Sequence, residues 1–319
     1  MKFNGFIASL LFAILLAWLL PQGPEILPLK TITDFGIGLI FFFYGLKLSP
    51  AEFKAGLGNY KVHLLIQLST FVLFPLLVLS FSPLFDGRTD SNLWIALFFL
   101  GALPSTVSSS VVMVSLAKGD IPTAIFNASL SGLIGIVVTP LWMSIFMSGS
   151  SDFEFLSVVQ KLFLQVLLPL IIGLFLQRSF GSIARRNSSK ISFFDKSVIV
   201  LIVYSSFGTA FSSGLFSSVG AAELLKLFLL VSGLFFLVYF GIGQICRLLG
   251  FSIEDRITAK FCGTKKSLVH GSVMVKIIFG SGAGNALFLL PIMLYHILQL
   301  LVIAVFAERY GKRISTEAA

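Results

Sequence analysis

The chain has 319 residues, of which 56% are hydrophobic and 12% are charged, and its formal net charge is +9. A soluble domain of average composition carries about 25% charged residues, so this composition excludes a soluble globular protein and predicts a polytopic membrane protein. The positive charge does not require a nucleic-acid partner, because the cytoplasmic loops of membrane proteins carry an excess of Lys and Arg.

Hydropathy locates the spans, since a membrane-crossing helix needs about 20 predominantly apolar residues. We predict ten spans, and the segments between them are too short to hold a soluble domain. The expected fold class is an all-α polytopic membrane protein in which residues 1–319 form a single membrane domain. The predicted spans cover residues 5–20, 30–48, 60–82, 92–117, 121–147, 155–178, 194–214, 223–249, 254–280 and 284–308.

Lys and Arg in the predicted loops indicate the orientation of the chain. Most of them fall on the side that bears both termini, whereas the opposite side holds only Lys30, Arg88, Lys161 and Lys226. We therefore expect both termini to be cytoplasmic and the protein to lie in the cytoplasmic (inner) membrane of a bacterium. Membrane lipid is then a partner, no nucleic acid is expected, and the oligomeric state is left open.

Ten spans can form two sets of five, about residues 1–150 and 151–319, and an odd-numbered repeat inverts its topology in the second copy. Spans four and nine then correspond, and each is polar and poor in helix formers at its centre: GALPSTVSSSVV in span four and CGTKKSLVHGS in span nine. Paired interrupted segments at corresponding positions indicate a transporter site built from discontinuous helices. The freed amides, carbonyls and half-helix ends of such helices bind ions and substrates.

Five hydroxyl side chains of span four are candidate ligands of a cation or a substrate: Ser105, Thr106, Ser108, Ser109 and Ser110. The structural alternative is that they bond to carbonyls of their own helix or allow helices to pack closely. Span five adds a second set, for which hydrogen bonding between helices is the favoured alternative: Asn127, Ser129 and Ser131.

Span nine carries the most unusual residues, because a Lys at bilayer depth costs roughly 2.5–3.5 kcal/mol on insertion scales. Lys265 and Lys266 are candidates for buried charges in a broken helix. Alternatively, the span begins after them and both side chains snorkel to the cytoplasmic face. A lone His on an apolar helix is more often a packing residue than a ligand. The candidate residues of this segment are Thr264, Lys265, Lys266, Ser267 and His270.

Enzymatic function is not indicated by the sequence. It holds no nucleophile–base motif, phosphate-binding loop or metal-ligand spacing, and both cysteines, Cys246 and Cys262, fall in or beside predicted spans. We therefore expect neither an enzyme nor a cofactor, and consider only sodium or a proton as a coupling ion.

Three stretches resemble the bile acid:sodium symporter family, in its branch typified by solute carrier family ten member seven: FFFYGLKLSPAEFK, LPSTVSSSVVMVSLAKGD and CGTKKSLVHGSVM. The resemblance covers nearly the whole chain. It implies two inverted five-helix repeats arranged as a panel domain and a core domain, with spans four and nine discontinuous and crossing at the membrane centre. It also implies a small organic anion as substrate, bile-acid- or steroid-conjugate-like or another amphipathic anion, carried by alternating access.

The resemblance also implies where sodium would bind. In the bile-acid carriers of the family, one sodium is held by side chains of spans four and five with help from span nine. Carried over, Ser109 falls at the family's serine of span four and Ser110 falls where those carriers have asparagine. Together with Ser129 they form a possible sodium site.

The second sodium of those carriers is held by the acid and the glutamine of an E-x-G-x-Q-N motif in span nine. Aligning on Gly263 places Phe261 at the acidic position, Lys265 at the glutamine and Lys266 at the asparagine. A hard cation prefers oxygen ligands, and above all a carboxylate. We therefore expect the second sodium site to be absent and an ammonium group to supply its charge.

Coupling then has three alternatives: sodium at the first site, a proton, since a buried Lys can titrate, or no coupling ion. Two other functions are kept as alternatives. One is a cation/proton exchanger of similar architecture, which would need an acidic residue at the crossing of spans four and nine. The other is a non-transporting regulatory membrane protein.

Overall fold

The computed structural model describes residues 5–26, 28–47, 57–85, 88–106, 108–147, 155–214, 220–279 and 285–317. These residues form helices joined by turns, with no β-strand among them. The α-helices are α1 (Gly5–Leu19), α2 (Gly23–Ile26), α3 (Leu29–Lys47), α4 (Tyr60–Ser80), α5 (Arg88–Ala102), α6 (Ser108–Leu116), α7 (Ile121–Met147), α8 (Leu156–Arg186), α9 (Ser188–Ser212), α10 (Ala221–Leu248), α11 (Ile253–Gly263), α12 (Leu268–Ile278) and α13 (Asn285–Glu317).

Within the described residues, seven helices are long and apolar enough to cross a membrane: α3, α4, α7, α8, α9, α10 and α13. The remaining predicted spans differ in form. Helix α1 has 15 residues, predicted span four is divided into α5 and α6, and predicted span nine is divided into α11 and α12. The all-helical, polytopic class is confirmed, and the count of ten spans stays a prediction.

Helices extend beyond some of the predicted span ends. Residues 179–193 separate predicted spans six and seven, yet α8 continues to Arg186 and α9 begins at Ser188. Hydropathy marks where a helix leaves the apolar layer and not where it ends. Arg185 and Arg186 lie in the last turn of α8, where positive charge complements the negative end of the helix dipole.

Two interruptions divide the chain at the predicted places. Pro104 has no N–H and disfavours a helical conformation in the residue before it, so α5 ends at Ala102 and residues 103–106 are not helical. The second interruption, Thr264–Ser267, contains no proline. There Gly263 ends α11, since Gly is a weak helix former.

The chain folds as two compact units, and each unit draws on both halves of the sequence. Helices α1, α3, α8 and α9 build the first unit, and α4, α5, α6 and α11 lie in the second, with most of α7, α10 and α13. The first unit comprises Met1–Ser49, Met143–Leu224 and Val269–Leu290, and the second comprises Pro50–Trp142, Leu225–Leu268 and Pro291–Ala319.

Glycines let two helices of the first unit approach closely. A Cβ atom on Gly45 of α3 would collide with the carbonyl oxygen of Leu170, and one on Gly173 of α8 would collide with the carbonyl oxygen of Phe42. Small residues facing each other are typical of helix pairs in membranes, where packing rather than the hydrophobic effect holds helices together.

Aromatic rings form much of the core of the second unit. Phe235 stacks on Tyr239 with ring centroids 5.9 Å apart, and Tyr295 meets the rings of Phe74 and Phe235 edge to face. All four side chains are buried. Such pairs add about 0.5–1.5 kcal/mol each beyond the area they bury, so they stabilise the core of this unit.

Candidate functional site

The two interruptions lie against each other in the second unit. The backbone N–H of Ser267 donates a hydrogen bond to the carbonyl of Pro104 (2.9 Å), and the Ser105 hydroxyl donates to the carbonyl of Cys262 (2.6 Å). Each non-helical segment therefore satisfies backbone groups of the other. Buried backbone polar groups need such partners, and irregular backbone survives at membrane depth only when protein encloses it or it lines a cavity.

The carbonyls at the end of α5 lack helical partners, so their hydrogen bonds can be followed one by one. Those of Ala102 and Pro104 accept hydrogen bonds from a hydroxyl of α7 and from the second interruption, respectively. Those of Gly101 and Leu103 both accept from the side chain of Lys266, at 2.6 and 2.8 Å from Nζ. The ammonium group thus donates hydrogen bonds to two of the carbonyls that lose their helical partners at the break in the helix.

Lys266 Nζ has a third carbonyl partner, that of Thr70 (2.8 Å), and lies 4.1 Å from the ring centroid of Phe74. The three N–H donors of the ammonium group therefore meet three oxygens and an aromatic face, although the residue is only 1% exposed. We name the carbonyl oxygens of Thr70, Gly101 and Leu103 the carbonyl cage. Two of them lie at the C-terminal end of α5, where the helix dipole is negative.

The carbonyl of Thr70 is available because α4 contains a π-helical turn, Ser69–Leu73. In that turn the N–H of Phe74 donates to the carbonyl of Ser69, so it is not used by Thr70. The next residue, Pro75, has no N–H to donate. Pro75 in α4 therefore leaves the carbonyl of Thr70 free to accept from Lys266, and Pro104 does the same for the carbonyls at the end of α5.

Lys265 is also buried, at 0% exposed, but makes fewer bonds. Its Nζ donates to the carbonyl of Ser109 (2.7 Å) and lies 3.4 Å from the Ser109 hydroxyl. Both lysines therefore point into protein, and the alternative in which they snorkel to the cytoplasmic face is wrong. The two ammonium groups have different surroundings, since that of Lys266 is fully enclosed by acceptors and that of Lys265 is not.

A glutamine that the sequence analysis did not single out holds the second interruption in place. Gln299 of α13 accepts from the backbone N–H of Lys266 and donates to its carbonyl, both at 2.9 Å. The Tyr295 hydroxyl, one turn earlier, donates to the carbonyl of Thr264. A signal for Gln299 was present, because it is an amide well inside a predominantly apolar predicted span.

Several predicted hydroxyl residues meet at the first interruption. Thr106 Oγ1 lies 2.8 Å from Ser109 Oγ and 2.9 Å from Ser110 Oγ. The backbone N–H of Ser105 donates to Ser131 Oγ of α7 (2.9 Å). The structure thus brings residues of predicted spans four and five together, partly through hydrogen bonds among the hydroxyls themselves.

The possible sodium site is only partly defined by these contacts. Ser110 is fully buried and Ser129, on α7, is 4% exposed, while the side chain of Ser108 lies outside the described part of the chain. A cation at Ser109 would lie close to the Lys265 ammonium group. Two unit charges 4 Å apart repel by about 4 kcal/mol at an effective dielectric constant of about 20.

Asn127 belongs to a different polar cluster, between α4 and α7. Its side-chain amide nitrogen lies 2.7 Å from His63 Nδ1 and donates to the carbonyl of Thr123 (2.9 Å). The amide of Gln67 donates to Asn127 Oδ1 (3.0 Å). The contacts are those of the structural alternative, in which Asn127 links two helices.

Two polar residues of predicted span nine lie in the first unit. His270 is buried, and its ring meets those of Phe41 and Tyr44 edge to face, with centroids 5.5 and 6.4 Å apart. Lys276 Nζ forms an ion pair with Asp34 Oδ1 (2.7 Å). The first arrangement is that of a packing residue, and the second keeps an ammonium group in the first unit next to a carboxylate.

Phe261 is the residue that the resemblance places at the acidic position of the sodium motif. Phe261 is 0% exposed, and its ring packs against those of Tyr239 and Tyr310, with centroids 6.5 and 6.1 Å apart. The oxygens of these two neighbouring side chains are phenol hydroxyls and not carboxylates. Phe261 is therefore a buried packing residue among aromatic rings.

Comparison with known proteins identifies the family of this chain. The sequence model of the SBF-like CPA transporter family matches residues 4–312. Protein PA2026 of Pseudomonas aeruginosa is 38% identical over 318 residues, which cover 99% of this chain and 95% of that protein. YfeH of Escherichia coli is 35% identical over 97% of this chain and 93% of its own, and sodium/bile acid cotransporter 7 of Rattus norvegicus is 33% identical over 88% and 82%. The chain therefore belongs to the SBF-like CPA transporter family and is an integral membrane protein of a transporter family.

Proposed function

We propose that this protein is a secondary transporter that moves a small organic anion across a bacterial inner membrane by alternating access. The carbonyl cage around Lys266 is the observation that carries the proposal, because it places a lysine side chain among three carbonyl oxygens where two broken helices meet. The name of the rat relative refers to sodium and bile acid. For this chain we propose an amphipathic anion of bile-acid or steroid-conjugate type.

The proposed architecture is ten spans in two inverted repeats, about residues 1–150 and 151–319, with both termini cytoplasmic. The composition of the two units supports it. Helices α1 and α3 of the first half share a unit with α8 and α9 of the second half, and α4 to α7 contribute to the same unit as α10, α11 and most of α13. Helix α12 is the exception, because all but its first residue lie in the first unit, whereas its counterpart α6 lies in the second. Helices at matching places in two repeats are expected to have matching surroundings.

The two lysines have separate roles in this proposal. Lys266 replaces a bound cation, since all three of its donors are used by the carbonyl cage. Lys265 has one short hydrogen bond, to the carbonyl of Ser109, so its ammonium group retains donors for the anionic group of the substrate. Transport is then coupled to sodium bound at Ser109, Ser110 and Ser129, or to a proton on Lys265, or is not coupled to an ion.

The rival functions find less support. A cation/proton exchanger needs an acidic residue at the crossing, and the described residues of the two interruptions contain none. Asp34 lies in the first unit and is paired with Lys276. A non-transporting regulatory protein would tolerate Ala at Ser109, Ser110 and Lys265 without change in its response to organic anions.

The first experiment follows the melting temperature of the purified protein against sodium, with choline keeping the ionic strength constant. A ligand that binds only the folded state stabilises it by RT ln(1 + [L]/Kd), about 2.7 kcal/mol at a hundredfold excess over Kd. We expect a flat response in the wild type and a saturable, sodium-specific rise in Lys265→Glu, which replaces an ammonium group by oxygen ligands. Lys61→Glu, an exposed position on α4, is the matched control.

The second arm measures uptake of taurocholate, as a probe of bile-acid type, into proteoliposomes. Lys265→Gln should reduce uptake at least tenfold while lowering the melting temperature by only a few degrees. Saturable stabilisation of the wild type by sodium would indicate that a sodium site is present and would favour sodium-coupled transport. Uptake that is unaffected by Lys265→Gln would contradict the role of this lysine in anion binding.

A further inference from the structure

A small polar cavity lies wholly inside the first unit, apart from the residues discussed above as the transport site. Its volume is about 40 Å³, whereas one water molecule needs roughly 10–15 Å³ on the same measure. A group of carboxylate, sulfonate or phosphate size therefore fits. The lining residues are Lys30, Thr33, Ile202, Ser205, Ser206, Thr209, Lys276 and Asn285.

One wall of the cavity is a single face of α9. Ile202, Ser205, Ser206 and Thr209 recur at i, i+3, i+4 and i+7, the spacing that places side chains on one side of a helix. Three consecutive polar positions on one face of a predicted span are unusual, since polar groups within membrane helices mark functional sites or interhelical contacts. Here they face a cavity.

The opposite wall carries the charge. Lys276 Nζ is held by Asp34 Oδ1 (2.7 Å), by the Thr33 hydroxyl and by the carbonyl of Lys30 (3.1 Å). The ammonium group of Lys30 makes no ion pair with any residue of the described ranges, and this side chain is exposed. Two positive groups and one negative group at the cavity leave it net positive.

We propose that this cavity is a second binding site, separate from the interruptions, for the anionic group of a small molecule: a carboxylate, sulfonate or phosphate. Lys30 supplies the free positive charge, and the hydroxyls of Ser205 and Ser206 donate hydrogen bonds. The Thr209 hydroxyl donates to the carbonyl of Ser205 (2.9 Å) and lines the site as an acceptor. Loop charges assign Lys30 to the side of the membrane opposite the termini, so the site collects anions from outside the cytoplasm. Binding there does not require the anion to be transported.

The same anionic chemistry has two sources, a soluble organic anion or the headgroup of an anionic lipid. The test therefore uses full-length protein in nanodiscs of phosphatidylcholine alone, in which the melting temperature is followed against sodium methanesulfonate, with sodium chloride keeping the ionic strength constant. A second set of nanodiscs contains phosphatidylglycerol. The variant is Lys30→Gln, and the control is Lys161→Gln, an exposed lysine assigned to the same side of the membrane that does not line the cavity.

We expect methanesulfonate to raise the melting temperature of the wild type and of Lys161→Gln, and its apparent Kd to rise about tenfold in Lys30→Gln, as expected for the loss of a charge-assisted hydrogen bond. If only phosphatidylglycerol stabilises the protein, and does so only when Lys30 is present, the site is confirmed with a lipid headgroup as its ligand. If neither anion stabilises the protein, or if Lys30→Gln responds like the wild type, the proposal is overturned.

A failure of this site would leave the proposed transport function untouched, because Lys265→Gln tests that function at the interruptions. Conversely, Lys265→Gln should leave the Lys30-dependent part of the methanesulfonate response intact. The two variants thus separate the two proposals.

Discussion

Replacing Lys266 by Met tests whether the carbonyl cage stabilises the fold. Met keeps most of the length of the side chain, and it removes the ammonium group that donates to Thr70, Gly101 and Leu103. Each buried carbonyl left without a donor costs about 1–3 kcal/mol. Three such carbonyls sum to about 3–9 kcal/mol, and the gain from no longer burying a charge offsets part of this sum.

We therefore expect Lys266→Met to lower the free energy of unfolding by about 3–5 kcal/mol, the lower part of that range. Lys265→Met should lower it by only about 1–2 kcal/mol, since it removes a single short hydrogen bond. For chains of 150–250 residues, 1 kcal/mol shifts the melting temperature by about 2–4 °C. The melting temperatures of the two variants, measured in the same detergent by intrinsic fluorescence, should thus differ by several degrees.

Chemical rescue makes the experiment specific to the cage. Lys266→Ala leaves a space into which n-propylammonium fits, so this cation should raise the melting temperature of Lys266→Ala and leave that of the wild type unchanged. Choline at the same concentration is the control, because it has no N–H to donate to the carbonyls. Equal melting temperatures for Lys266→Met and Lys265→Met, together with no rescue, would refute the reasoning.

Two further variants test the groups that hold the interruptions. Gln299→Leu leaves both backbone groups of Lys266 without a partner and should destabilise the protein by about 2–4 kcal/mol, whereas an unchanged melting temperature would show that the clamp is not needed. Gly135→Ala would place a Cβ atom 2.7 Å from the ring of Pro104, and overpacking of this kind costs about 1–3 kcal/mol. Gly233→Ala, where no atom lies within 4 Å, is the matched control and should melt like the wild type.

The interruptions could be predicted from the sequence because their cause is local. Pro104 removes a backbone donor, and the serines that follow compete for backbone hydrogen bonds, so a break in span four follows from covalent structure alone. The charged segment of span nine was equally visible. Its meaning was not, because hydropathy reports the depth of a residue and not its partners, and buried and snorkelling lysines have the same sequence signal.

The partners of Lys266 were beyond sequence reasoning for a different reason. The carbonyl of Thr70 becomes available only through a π-helical turn, which no residue type specifies, although Pro75 contributes to it. Gln299 lies 33 residues from the peptide that it holds, so no local rule links the two. The cavity beside Lys30 was missed because its walls come from helices that are distant in the chain, α3, α9, α12 and the start of α13.

A tethered ammonium group differs from a bound sodium ion in one respect that decides the energetics of the proposed cycle. The stabilisation by a bound ion is RT ln(1 + [L]/Kd) and vanishes when the ion concentration falls, whereas Lys266 cannot dissociate. Lys266 and the three residues of the carbonyl cage all belong to the second unit, so the cage can stay assembled throughout a transport cycle. A covalently tethered amine cannot draw energy from a sodium gradient. In the proposed cycle, uphill transport is therefore driven through Lys265 and the neighbouring hydroxyls, and not through the position that Lys266 fills.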